Sequence, residues 1–206
     1  MTTLDELVRR RRSIRRYRSE RPPEEWLEAM IATAIQAPSS GNRQPVRFFE
    51  IASAPLRKAL QEELTAGKDL FLKRVADAKL RNLINFYFRF SEFMFEAPIL
   101  LAAGTVTKIP SFSATLTELG ITIPEERWER DADMALGLAL SGFILKGEEL
   151  GLGTCILTAP LAFMGPPEKT LSLSEVKIKC FLTVGYPDEH PKPPPRKTVE
   201  EIFRKI

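Results

Sequence analysis

Residues 99–103, Ile-Leu-Leu-Ala-Ala, follow directly on Pro98 and are apolar at every position rather than at alternate ones. A strand with one solvated face alternates apolar and polar side chains, so an unbroken apolar strand belongs in a sheet covered on both faces. That requirement implies layers, with helices supplying an apolar face above and below the strand. The chain has 206 residues, enough to bury a sizeable core without metals or disulfides, and is read as one domain over 1–206.

The helices are found in the flanking sequence. Residues 4–12 read as a short helix, and Pro22-Pro23 opens a second in which Leu27, Met30, Ile31 and Ala34 recur at helical spacing until Pro38. Residues 37–42 concentrate turn-forming residues and lead into a strand over 46–51. Residues 55–64 predict a helix, and 68–96 a long aromatic-rich one that ends before Pro98. Residues 105–124 carry few periodic apolar positions and are read as a loop excursion that serves as a lid. A helix over 125–150 has a small, apolar middle at 134–145, containing Gly137 and Gly142, and is expected to be buried on most sides. Gly151 and Gly153 end it, and a strand over 154–157 follows. A helical turn is expected at 168–173. Val176, Ile178, Cys180, Leu182 and Val184 then alternate with Lys177, Lys179 and Thr183 as a period-two strand. The tail over 186–206 is too rich in proline for a helix or central strand before its short amphipathic end, and should run extended across a surface. Helices around a few mostly non-adjacent strands make the fold class α+β.

Composition removes several kinds of chemistry. The cysteines, Cys155 and Cys180, lie in apolar stretches, which excludes a disulfide framework or a Cys-rich zinc site and suits a reducing cytoplasm. His190 is the only histidine and sits among prolines, so nucleophilic triads and multi-His metal sites lack their central residue. Bond-making chemistry is therefore expected from a cofactor. The runs 97–106 and 134–145 fall short of the roughly 20 residues that span a bilayer, and the start lacks an apolar leader core. The net charge is only +3, but arginines crowd the N-terminal segment. Position alone leaves open whether that cluster is a solvated helix end or binds phosphate or nucleic acid. The aromatic and glycine patterns of common nucleic-acid modules are missing, so no nucleic-acid partner is expected.

Five segments, taken in order, carry a resemblance. They are residues 11–17 (Arg-Arg-Ser-Ile-Arg-Arg-Tyr), 37–45 (Ala-Pro-Ser-Ser-Gly-Asn-Arg-Gln-Pro), 96–98 (Glu-Ala-Pro), 151–155 (Gly-Leu-Gly-Thr-Cys), and 185–187 (Gly-Tyr-Pro) with Arg196. In order and spacing the chain resembles the FMN-dependent nitroreductase family over nearly its whole length. The first two segments are specific together, and the other three corroborate them.

The resemblance implies an α-β-α sandwich with a mostly antiparallel central sheet, and a homodimer whose C-terminal extension wraps onto the partner. It implies two FMN sites at the subunit interface and ping-pong transfer of electrons from NAD(P)H to a small acceptor such as a nitroaromatic or quinone. The flavin carries the chemistry, and no side chain is assigned as catalytic. Arg11 and Arg196 are the candidates for the phosphate, because guanidinium groups recognise phosphate by paired charge-assisted hydrogen bonds; Ser13 adds a short hydroxyl donor, and Arg12 beside them is counted among the cofactor-binding residues. Arg15 is the candidate for the pyrimidine side of the ring, where a cation favours the reduced form. Pro38, Ser39, Ser40, Asn42 and Gln44 correspond to the segment that packs on the flavin of the other subunit. Leu157, Thr158 and Ala159 correspond to the stretch whose backbone lies beside the flavin edge. Two departures stand out: Val46 occupies a position where the family usually has Trp, and Ser141-Gly142 one where it often has Gln-Asn. Relatives on this scaffold also include dehydrogenases, dehalogenases and flavin-breakdown enzymes, and a non-catalytic flavin-binding protein is the remaining alternative.

Overall fold

A computed structural model describes residues 2–108, 111–122 and 124–206. Its centre is a sheet of β1 (Val46–Glu50), β2 (Ile99–Val106), β3 (Gly153–Leu157) and β4 (Val176–Gly185). The spatial order is β1-β2-β4-β3, every pairing antiparallel. The apolar segment at 99–103 lies in β2, an interior strand, and is covered on both sides as its composition requires. Ile99, Leu101 and Ala103 pack with Leu182 and Val184 against Leu27 and Met30 of α2 (Glu24–Ala34) and Leu136 and Phe143 of α6 (Glu125–Glu149). Leu100, Ala102, Phe181 and Leu157 face the other way, onto Leu60 of α3 (Ala54–Arg74) and Met94. Each such fully buried side chain contributes roughly 1.5–3 kcal/mol, so this two-sided core dominates the stability of the fold.

The period-two reading of β4 needs correction. Cys180, Leu182 and Val184 share one face, but Ile178 joins the opposite one. The cause is a register shift: Ala103 pairs with Cys180 and Gly104 with Ile178, leaving Lys179 as an extra residue. Thr183, expected on a polar face, is fully buried.

The segment at 68–96 is likewise not one helix. α3 continues to Arg74, Val75 turns extended, and α4 (Ala78–Glu92) starts afresh where the Asp77 carboxylate accepts the Leu80 N–H at 2.9 Å. A 3-10 turn at Phe93–Glu96 completes it. The expected loop at 105–124 begins as the end of β2 and contains α5 (Ser111–Glu118); residues 109, 110 and 123 lie outside the described set. The other helices are α1 (Leu4–Arg10), α7 (Pro167–Thr170) and α8 (Val199–Ile202), the last on a tail that is exposed from residue 192 onward. Among the described residues no helix is long and apolar enough to cross a membrane.

The middle of α6 is only partly buried. Gly142 lies against Thr33 of α2, where a Cβ would meet the carbonyl oxygen at 3.3 Å, so a side chain there would need Thr33 to give by a few tenths of an ångström. Gly137 faces open space. With Met134 (64% exposed), Leu138 (50%) and the exposed Ser141 it forms an apolar and small-residue stripe that the rest of the protomer leaves uncovered.

Candidate functional site

Beyond α1 the chain does not turn away but runs as an extended strap along the β3 edge of the sheet. Ser13 bridges Thr154 in parallel, and the Ile14 N–H donates to the Thr154 carbonyl at 2.9 Å. Tyr17 bridges Pro187, and the Arg18 N–H donates to the Tyr186 carbonyl at 3.0 Å. Two glycines let the strap lie this close. A Cβ on Gly153 would stand 2.8 Å from Ile14, and one on Gly185 would stand 2.9 Å from the Tyr17 ring. The glycines of the Gly-Leu-Gly-Thr and Gly-Tyr-Pro segments are thus the seats of the strap.

Tyr17 pins it from within. Its hydroxyl donates to the Ile14 carbonyl at 2.5 Å and accepts from Thr183 Oγ1 at 2.7 Å. Burial holds the phenol far above its ordinary pKa, so it stays a neutral donor. Neither Tyr17 nor Thr183 was among the residues singled out from the sequence; a tyrosine closing an arginine-rich segment was the available signal.

The strap carries Arg11, Arg12, Ser13 and Arg15 to one place, beside Cys155. Burial raises the Cys155 thiol pKa, against the opposing influence of the nearby Arg15 and Arg11 guanidiniums and the Ser13 hydroxyl. Among the described residues the ion pairs of this region take Arg10 to Glu148, Arg16 to Glu189 and Arg21 to Glu24 and Glu50, and none takes Arg11 or Arg15. The Arg15 guanidinium instead sits over the Phe90 ring of α4, 5.3 Å from its centroid. Arg12 is employed differently: its Nη1 donates to the Arg9 and Arg11 carbonyls, both at 2.6 Å, and so closes the end of α1. Leu157, Thr158 and Ala159 continue β3 on this same edge; Leu157 faces the core and Thr158 is exposed. Beyond Thr154 the outer edge of β3 has no strand partner among the described residues.

Pro38, Ser39, Ser40, Asn42 and Gln44 lie elsewhere. Their loop enters β1, the opposite edge of the four-stranded order. Three interstrand spacings, about 14 Å, separate the edges, and helices cover the faces between them. The loop is strained: Gly41 (φ 60°), Asn42 (φ 51°) and Gln44 (φ 46°) are all left-handed, a conformation that costs non-glycine residues on the order of 1 kcal/mol or more and gathers at functional sites. Ser39 Oγ accepts the Gln44 N–H at 2.9 Å, and Gln44 Nε2 donates to Asn42 Oδ1 at 3.3 Å, which keeps the amides together. Pro38, Ser39 and Ser40 border a groove whose other wall is Met134, Ala135 and Leu138 of α6. Val46 is half-buried against the core at the start of β1. Arg196 stands on the exposed tail.

The candidate residues therefore fall into two groups, one at each edge of the sheet. One offers two uncompensated guanidiniums, a hydroxyl and a free backbone edge; the other offers amides and hydroxyls beside an uncovered apolar stripe. The first suits a phosphorylated ligand with an electron-rich heterocycle.

Known proteins are similar to this chain in sequence and fold. An iodotyrosine deiodinase of Thermotoga neapolitana is 29% identical over 196 residues, 94% of this chain and 92% of the relative. A BluB-like flavoprotein from Clostridium difficile 630 has a TM-score of 0.85 at 27% identity, covering 100% of both chains. An iodotyrosine deiodinase solved with FMN and 3-iodo-L-tyrosine has a TM-score of 0.69 at 25% identity, covering 96% of each. Residues 8–186 match the nitroreductase family, and the chain belongs to it.

Proposed function

We propose that this chain binds FMN in clefts shared by two copies and passes electrons from NAD(P)H to a small conjugated acceptor such as a nitroaromatic or quinone. The observation that carries the reading is the gathering of Arg11, Ser13 and Arg15 on one strap, with the Arg11 and Arg15 charges answered by no carboxylate among the described residues. With Arg15 exposed and Arg11 half-buried, the gathered guanidiniums favour an anion beside them, and a flavin phosphate and pyrimidine edge supply that charge.

The residues fit the cofactor. Arg11 and Ser13 would hold the phosphate, with Arg196 reaching it from the tail; Arg12 Nη1 is already engaged by carbonyls. Arg15 would hold its positive charge at the pyrimidine edge, while the free backbone at Leu157, Thr158 and Ala159 would line the central ring. FMN, when bound, supplies a ring that accepts a hydride and returns the electrons to an acceptor. Asn42 and Gln44, held together in their strained loop, would orient the ring from the second copy. A second copy would bring the two groups together, each then a half-site, since they occupy opposite edges of the sheet. The uncovered stripe of Met134, Gly137, Leu138 and Ser141 gives it a surface to meet. α5, which borders the groove beside Ser40 and Arg43 through Phe112, would close over the acceptor as a lid. The buried, protonated thiols suit a cytoplasmic setting.

A visible spectrum of the purified protein, followed by anaerobic mixing with NADH and NADPH, tests this. Flavin bands that bleach with one or both donors are expected; a preparation that stays colourless after FMN is added would refute it. The deiodinase likeness, which spans nearly the whole chain, favours a second reading in which the same electrons reach a halogenated phenol. Halide release from an iodinated phenol under dithionite separates the two.

A further inference from the structure

Glu189 stands where the tail leaves the protomer, and its carboxylate faces back onto the strap. Its Oε1 accepts the backbone N–H groups of Arg15 at 2.5 Å and of Arg16 at 3.3 Å, and its Oε2 lies 3.7 Å from Arg16 Nε. The side chain is only 20% exposed. Around it tail and strap are already paired, with the Asp188 N–H donating to the Arg16 carbonyl and the Arg18 N–H to the Tyr186 carbonyl, both at 3.0 Å. The carboxylate prolongs that short ladder to two N–H groups that no strand reaches. Its charge is engaged by Arg16, while the Arg15 guanidinium extends over Phe90.

We infer that Glu189 is a positioning residue for Arg15: it fixes the backbone from which that guanidinium reaches the flavin, without quenching its charge. The inference rests on the flavin reading above. Hydrogen bonds from N–H groups to a carboxylate are short and strong, and two of them on consecutive residues hold the peptide between them in one orientation. The sign of the effect distinguishes this role from a direct one. Reduction places negative charge on the flavin, so a carboxylate acting through space opposes it, whereas one that holds a cation in place assists it.

The test measures the midpoint potential of bound FMN, and the FMN Kd by fluorescence quenching, in the full chain and its Glu189→Ala, Glu189→Gln and Arg15→Ala/Glu189→Ala variants. Glu189→Ala should weaken FMN binding severalfold and lower the potential by about 30 mV or more, a tenfold change in the two-electron equilibrium. Glu189→Gln should stay within about threefold of the wild type, since its amide oxygen still accepts both N–H groups. The double variant should lie no lower than Arg15→Ala alone. A potential that rises in both single variants would show a through-space charge effect and overturn the inference, as would a fall in melting temperature with the potential unchanged. Should Glu189→Ala not fold, Glu189→Asp keeps the charge but shortens the reach; it should also lower the potential, and a wild-type potential there overturns the inference. Wild-type protein that takes up no FMN would instead overturn the flavin reading itself.

Discussion

At the scale of single residues, the proposed flavin site gives the arginines of the strap separable roles. Arg11→Ala should weaken FMN binding by tenfold or more, because a charge-assisted hydrogen bond contributes about 1.5–3 kcal/mol. Arg15→Ala should keep most of its flavin but be reduced more slowly by NADH; stopped-flow bleaching together with flavin content after dialysis checks both. The buried thiol of Cys180 gives a pH prediction. Burial moves it from 9.0 to about 12. Above pH 9 the unfolded chain loses that proton while the folded chain retains it, so this group makes stability fall as pH rises from about 9 to 12. Urea midpoints across that range should decline, and Cys180→Val should flatten the decline; an unchanged slope in the variant would count against it. Much of the strap was legible in the sequence, since Arg11, Ser13 and Arg15 sit at family spacing. The diversion of Arg12 onto the end of α1 was not, because hydrogen bonding to carbonyls one and three residues back depends on how the helix terminates. Glu189 was also hidden, for its partners lie more than 170 residues away.

At the scale of elements, α6 carries the most testable surface. Its stripe of Met134, Gly137, Leu138 and Ser141 is apolar or small yet uncovered, and it is the surface that the proposed dimer would bury. Leu138→Arg should convert dimer to monomer in sedimentation velocity and lose bound flavin with little change in secondary structure, since the side chain lies outside the protomer core. A dimer that survives the substitution with its flavin would remove α6 from the interface. Strong periodicity and caps made α2 and α6 readable, and unbroken apolar character made β2 readable. Elements set by competing signals were not. The break between α3 and α4 hinges on Asp77 as a cap after an extended Val75, within a stretch whose aromatic pattern is continuous. The bulge at Lys179 reverses the alternation of β4 because its register is decided by β2 across the sheet, not by β4 itself.

For the molecule as a whole, the decisive fact is that the two groups of candidate residues occupy opposite edges of one sheet covered on both faces. In the proposed dimer, pairing the β3-edge strap of one copy with the loop of another would complete a site twice over, by the reciprocity of a two-fold axis. Local pattern marked both groups as candidates, but their separation follows from the strand order, which no local pattern records. Complementation measures the central claim directly. Arg11→Ala/Arg15→Ala disables one half-site and Asn42→Ala/Gln44→Ala the other, so each variant alone should bind FMN weakly. When the two are mixed equally and allowed to exchange subunits, half the dimers are mixed and each holds one intact site, so about one site in four should regain wild-type affinity. Fluorescence titration of the mixture that shows only the weak binding of its components would contradict a flavin site built from both copies.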